Sequence, residues 1–388
     1  MKFQQEIQTQ NQIQNQNDRI ILVISDLHLG AGNLINGQKN HLEDFYFDRE
    51  LLQFLEYYSS AEYENSNIEL VINGDFLDFL ATPFVKFFDD EFWSERASIE
   101  KLKLILNAHP LVIKELVTFI SKPNKKVTYI IGNHDAEMIF NQVRELFLEQ
   151  FPTQSREKIH FVIFDTHYSP VKEILIKHGH QYEPAHYNNP KKSLIKTTSN
   201  ENFFLPPWGT YYVTKIINKF KAERAFINSI RPVRTFIIHG LLFDTLFTIR
   251  FIFANIYYFF MVIFLNYFRK KRNLSLREVI RHSWNEIQLF QDYEEITRDE
   301  FSKNPNLKVL IVGHTHIPGY RTYINGNTFI NTGSWTKMFN MDFTKRQDGR
   351  KLTYALISIR EGPWPQCSIA PELLVWEGHR NLPYSNFY

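Results

Sequence analysis

Residues 21–30 read ILVISDLHLG. An apolar run of this kind, free of charge, reads as a strand buried on both faces. It ends in Asp26-Leu27-His28, a carboxylate and an imidazole at the carboxyl end of a strand, where α/β folds build their sites. The arrangement recurs four times. IELVIN (68–73) precedes Gly74-Asp75, and VTYII (127–131) precedes Gly132-Asn133-His134-Asp135. EILIK (173–177) precedes His178-Gly179-His180, and KVLIV (308–312) precedes Gly313-His314-Thr315-His316. Between the runs, 42–58 has apolar spacing near that of a helix, as does 98–120, interrupted at Pro110. The alternation predicts an α/β fold.

The groups gathered at these strand ends are carboxylate, imidazole and carboxamide, with no thiolate. Such a set suits Mn²⁺, Fe, Zn²⁺ or Mg²⁺. A two-metal hydrolase centre needs one ligand shared by both ions, and a carboxylate with two oxygens serves. Asp75 is the candidate, because Gly74 lets the chain turn sharply before it. The i, i+2 spacing of Asp26/His28 and His314/His316 predicts that each pair projects from one side of extended chain.

Taken together, SDLHLG (25–30), NGDFLD (73–78), GNHD (132–135), HGH (178–180) and GHTH (313–316) resemble the signature of the calcineurin-like metallophosphoesterases, over residues 18–190 and 305–360. The resemblance implies a four-layer sandwich of two mixed β-sheets flanked by helices. It implies two divalent ions, manganese first, with iron, zinc or magnesium as alternatives. Asp26, His28, Asp75 and His316 would hold one ion, and Asp75, Asn133, His178 and His314 the other. A hydroxide shared by the metals would then attack the phosphoester in line. His134 would act as general acid for the leaving alkoxide, with Asp135 orienting or polarising it. His180 would touch substrate phosphate or support the site. Asp78 is read either as a carboxylate holding a ligand imidazole or as a helix N-terminal carboxylate. Asn331 and Ser334 are read as support for the last loop, and His239 as a non-ligand.

The chain has 388 residues, enough for one large domain with an insertion, or for two. Its net charge of +2 gives no basic field, so no nucleic-acid partner is expected. The lone Cys367 permits no intrachain disulfide, which fits a reducing cytoplasm. No activating base is near it in sequence, so it is not read as a nucleophile. Residues 1–17 are rich in Gln and Asn and lack an apolar segment, which predicts a disordered tail rather than a signal peptide. The expected organisation is a catalytic domain of 18–184 and 305–370, a helical hydrophobic cap at 185–304, and an irregular C-terminal tail at 371–388.

The cap carries two aromatic, apolar blocks, 235–249 and 251–268, parted by Arg250 and followed by the basic run Arg269-Lys270-Lys271-Arg272. The second block approaches the ~20 residues of a membrane span. A single crossing would put Asp26 to His178 and His314/His316 on opposite sides of the bilayer, so spanning is disfavoured. Residues 235–272 are expected instead to lie on the inner face of a membrane, aromatics in lipid and Lys/Arg on anionic headgroups. A buried soluble cap is the alternative. An apolar insertion over such a site is similar to the lid of the UDP-2,3-diacylglucosamine hydrolases, although His134 stands where their pattern has Arg. The expected substrate is therefore a lipid-linked or other amphiphilic phosphoester. The competing readings are a soluble nucleotide phosphodiesterase or phosphatase and a non-catalytic, membrane-associated binding protein.

Overall fold

The computed structural model describes residues 18–60, 63–83, 90–164, 167–183, 185–187, 189–196, 200–231, 233–269, 293–340, 352–360, 368–378 and 381–383. The expectations for the N-terminal tail, Cys367 and Lys270 to Arg272 lie outside them.

Two sheets dominate. In the larger, β1 (Asp18–Ile24), β4 (Asn67–Asn73), β5 (Lys125–Ile130) and β6 (Ile159–Val162) run parallel. β15 (Leu352–Arg360) joins the other side of β1 antiparallel, followed by β16 (Ser368–Trp376) and β17 (Asn381–Pro383). The smaller sheet has the order β12-β13-β11-β7. Its β7 (Ile174–Ile176), β11 (Val309–Val312) and β13 (Thr328–Asn331) are parallel, and β12 (Gly319–Thr322) is an antiparallel edge. Two-stranded ribbons pair β2 (Leu34–Ile35) with β3 (Gln38–Lys39), β8 (Leu194–Lys196) with β9 (Asn202–Phe204), and β10 (Ile230–Arg231) with β14 (Phe339–Asn340).

The period of two along each strand builds the layers. Ile21 and Val23 of β1 pack against Ile174, Ile176, Val309 and Ile311 in the space between the sheets. Their neighbours Leu22 and Ile24 turn the other way, into a core shared with the helices Asp48–Ser59, Glu95–Ala108 and Pro110–Ser121. On the far side, Leu310 and Val312 pack toward Phe301 of the helix Tyr293–Lys303. Helices, sheet, sheet and helix make four layers, the mixed α/β sandwich expected. Each such aliphatic side chain contributes about 1.5–3 kcal/mol on full burial.

Several expectations are corrected. The first helix starts at Asp48, not Leu42. Glu43 instead spends its carboxylate on the backbone N–H groups of Gly30, Gly32 and Phe45, which holds 42–47 as a loop. Residues 371–376 are not irregular: they belong to β16, which pairs along its whole length with β15. Pro371 fits there because β17 reaches only Leu374 to Trp376, so the missing N–H falls where the strand has one neighbour. The helix Tyr293–Lys303 falls within the expected cap but covers the smaller sheet, with Glu300 bound to Lys177 and Tyr182.

The cap proper runs through a helical segment, Trp208–Tyr212, Val213–Ile217 in π geometry and Asn218–Lys221, to the helices Val233–Phe243 and Thr245–Arg269. The two apolar blocks part at Asp244 rather than Arg250. Asp244 is held by Arg224, whereas Arg250 sits inside the second helix and pairs with Glu223. Ile216, Phe220, Phe247, Phe251 and Tyr258 form a small core of their own. The opposite face, Leu242, Phe243, Leu246, Phe253, Tyr257 and Phe260, is exposed. Among the described residues no single helix is long and apolar enough to cross a membrane.

Candidate metal centre

The loops after β1, β4, β5, β7 and β11 meet at one end of the sandwich. Backbone bonds zip them together: Asp26 N–H donates to Gly74 O, His28 N–H to Asp75 O, and Phe79 N–H to His134 O. The expectation of extended chain at Asp26/His28 and His314/His316 is corrected. Asp26, His28, Asp75, His314 and His316 have φ of 55°, 57°, 51°, 71° and 61°. A non-glycine residue in the left-handed region costs of order 1–3 kcal/mol and persists only where its surroundings hold it. Five together at strand ends aim side chains into a common space that extended chain would not reach. At Gly74 (φ 79°) even a Cβ is impossible, since it would lie 2.4 Å from His178 Nδ1.

Two donor groups form around Asp75. On one side His28 Nε2 and His316 Nε2 lie 3.1 Å apart, with Asp26 Oδ1 3.4 Å from His316 Nε2. On the other, His178 Nε2 lies 3.2 Å from both Asn133 Oδ1 and Asp75 Oδ2. Asp75 Oδ2 is also 3.7 Å from His28 Nε2, so this oxygen stands between the two groups. Donors about 2.1 Å from a shared ion at right angles lie roughly 3 Å apart. Asp26 Oδ1 is buried without a hydrogen-bond partner, as a carboxylate oxygen reserved for a cation would be. Asp26–His28–His316 and Asp75–His178–His314 are thus each close enough to share one ion. The residues fit a pair of divalent cations.

Ring tautomers point the same way. His178 Nδ1 lies 2.7 Å from the Asn73 carbonyl and must donate to it, so that whenever the ring is neutral its lone pair is on Nε2. His28 Nδ1 is held by Asp78 Oδ2 at 3.2 Å, again freeing Nε2. Electrostatics follow the same anionic field. Burial works to lower both imidazoles, yet Asp78 and Asp75 hold His28 up to about 9, and Asp75 and Asp26 hold His178 up to about 10. Burial would raise Asp78, but His134 and His28 hold its carboxyl well below the usual range. Burial drives His180 well below its ordinary value, so it is neutral; its Nδ1 has no partner.

The partner expected for His134 is corrected. Asp135 does not touch that ring. Its Oδ1 accepts from Gly132 N–H, and its Oδ2 from Phe76 N–H and Tyr129 OH. Asp135 therefore pins two loops together, and burial pushes it up to about 6. The carboxylate on His134 Nδ1 is Asp78 Oδ1, at 3.0 Å. Asp78 also holds the His28 imidazole, as one of its two readings had it; the other is corrected, since no helix starts there and the same Oδ1 closes a turn by accepting from Ala81 N–H. Asn331 binds Gly313 O and Thr315 Oγ1, and Ser334 binds Asp26 O, so both brace the loops.

Sequence reasoning missed Glu183 and His186. Glu183 Oε2 lies 2.9 Å from both His314 Nε2 and His186 Nδ1. Burial opposes its ionisation, but those two imidazoles hold it down to about 2. The signal was present as two further metal-type donors, three residues apart, just after the HGH motif.

Residues 20–318 match the family model described as calcineurin-like phosphoesterase. The chain belongs to that family. It is accordingly a metal-dependent phosphoesterase. A search of curated proteins returned no match. Among solved structures, a dimetal phosphatase from Danio rerio is similar at 11% identity and a TM-score of 0.35, covering 92% of this chain and 99% of that one. The calcineurin-like phosphoesterase YfkN from Bacillus subtilis is similar at 12% identity and a TM-score of 0.35, over 95% and 93% of the two chains. Vacuolar protein sorting 29 from Cryptosporidium parvum is similar at 12% identity and a TM-score of 0.31, over 94% and 95%. Likeness at this level transfers neither substrate nor partner.

Proposed function

We propose that the chain is a dinuclear phosphoester hydrolase acting on an amphiphilic or lipid-linked substrate. The observation that carries the first half is Asp75 Oδ2, standing between His28 Nε2 at 3.7 Å and His178 Nε2 at 3.2 Å. Asp26, His28, Asp75 and His316 would hold one ion. Asp75, Asn133, His178 and His314 would hold the other. When bound, two such ions supply Lewis acidity and lower the pKa of water toward neutrality; manganese is the expected metal.

The chain's own residues do the rest. His134 follows Asn133 directly, and Asp78 holds its Nδ1. A proton on Nδ1 stays with that carboxylate, so Nε2 is the atom that donates to the leaving oxygen. Its ring is only partly buried and meets His28 edge-on at 4.5 Å, which places it at the rim of the candidate centre. Asp78 thus orients the proton donor and one proposed ligand at once. His180, buried and neutral, is left to support the site or meet substrate phosphate.

The substrate reading rests on the cap. A helix apolar all round is normally buried, and a large exposed apolar face marks a binding surface. The face of Leu242, Phe243, Leu246, Phe253, Tyr257 and Phe260 suits the acyl region of a membrane or of a substrate drawn from it. The test is mass spectrometry of a bacterial lipid extract incubated with Mn²⁺-loaded protein, with Asp75→Asn as control. Loss of a phosphorylated lipid with wild type only is expected. An unchanged extract alongside good turnover of a p-nitrophenyl phosphodiester would overturn the lipid reading in favour of a soluble nucleotide substrate.

A further inference from the structure

Glu183 and His186 belong to no strand-end motif, yet they are joined to one of its members. Glu183 is buried, and its Oε2 stands between His314 Nε2 and His186 Nδ1, 2.9 Å from each. Behind His186 lies the start of the cap's helical segment. Gly209 N–H donates to Ala185 O, and a Cβ at Gly209 would lie 2.6 Å from that oxygen and 2.9 Å from His186 Nε2 and Cδ2. Farther along, the segment is tied to the loops after β1 and β4. Asn218 donates to Leu80 O, and Lys221 to Leu42 O and Asp44.

We propose that Glu183 is a positioning residue for His314, and that His186 and Gly209 make the docked cap part of that support. The proposal rests on the dinuclear reading above. A neutral imidazole has one N–H. Spent at Nε2 on Glu183, it leaves the lone pair at Nδ1, so His314 can offer an ion only that atom, with its ring held in place. Glu183 is in turn held by His186, and His186 is confined by backbone that only a glycine lets approach. Affinity for the ion at Asp75–His178–His314 therefore depends on how the cap is seated.

The same three side chains, Glu183, His186 and His314, are also close enough to share an ion of their own. Counting ions separates the two ideas. Cobalt(II) is titrated into the metal-free full chain and followed by visible absorption and calorimetry. Wild type is expected to take two ions. Glu183→Gln should keep one at wild-type affinity and bind the other about 10–100-fold more weakly, the usual cost of losing such a partner. Gly209→Ala should weaken that same ion by a smaller factor, and it carries the test should Glu183→Gln not fold. Unchanged cobalt affinities alongside a lower melting temperature would mean a merely structural role and overturn the proposal. Three ions in wild type, falling to two in Glu183→Gln, would overturn it in favour of a third site. Wild type binding no ion would overturn the dinuclear reading itself, and this proposal with it.

Discussion

The strand-end centre and the paired helices Val233–Phe243 and Thr245–Arg269 are held by opposite physics. In the centre, hydrogen bonds between loops hold Asp75, Asp78, Asp135 and His178, and the backbone is strained at Asp26, His28, Asp75, His314 and His316. Position there is over-determined: strain is sustained because crossing hydrogen bonds leave no alternative. The helices are held by one apolar face packed on Phe220 and Ile216, while the other face meets solvent. On that exposed face, Leu242, Phe243, Leu246, Phe253 and Phe260 can shift without orphaning a polar group. Placement of donors is costly and local in the first region, whereas burial is generic and tolerant in the second.

The largest test of this contrast is Asp75→Asn, which should remove turnover and weaken both proposed ions. Metal analysis and kinetics check it, and an active variant would break the shared-carboxylate reading. His134→Ala should come next. It should cost about 10²–10⁴-fold for poor leaving groups and far less for p-nitrophenolate, which needs no proton. Equal losses for both would sink the proton-donor role.

Between Asp48 and Glu43, His109 offers a pH test of stability alone. Burial lowers it, but Asp48 and Glu43 hold it up to about 9 from 6.5. A raised folded value means its stabilisation is full below pH 6.5 and is lost as pH climbs through 9. The loss is on the order of 3 kcal/mol. Urea unfolding from pH 6 to 10 should show it in wild type and not in His109→Gln; parallel profiles would refute it.

A smaller pair sharpens the correction at the centre. Asp78→Asn should lower activity about 10–100-fold, while Asp135→Asn should chiefly cost about 1–3 kcal/mol of stability. The reverse ranking would restore Asp135 as the partner of His134. Smallest of all, Phe243→Ser or Phe253→Ser should change stability within about ±0.5 kcal/mol. Turnover of a soluble diester should stay intact, and sedimentation with anionic vesicles should fall. A drop in soluble turnover would mean that the exposed face shapes the pocket instead.

Much of this was legible in the chain. The strands before Asp26, Asp75, Asn133, His178 and His314 announce themselves by short, mostly apolar runs, and the break at Pro110 by a missing N–H; these are local properties, written in consecutive residues. What the tertiary structure alone decided is non-local. Asp78 rather than Asp135 faces His134, because only the packing of one loop on another brings a carboxylate within 3.0 Å of that ring. β16 forms despite Pro371, because β15 lies beside it. Glu183 reaches His314 because the loop after β7 folds back on the loop after β11, with His186 beside it and Gly209 of the cap packed close to that ring. Sequence fixes which donors stand at the ends of strands; which of them touch is set by how separate segments pack, and no local pattern encodes that distance.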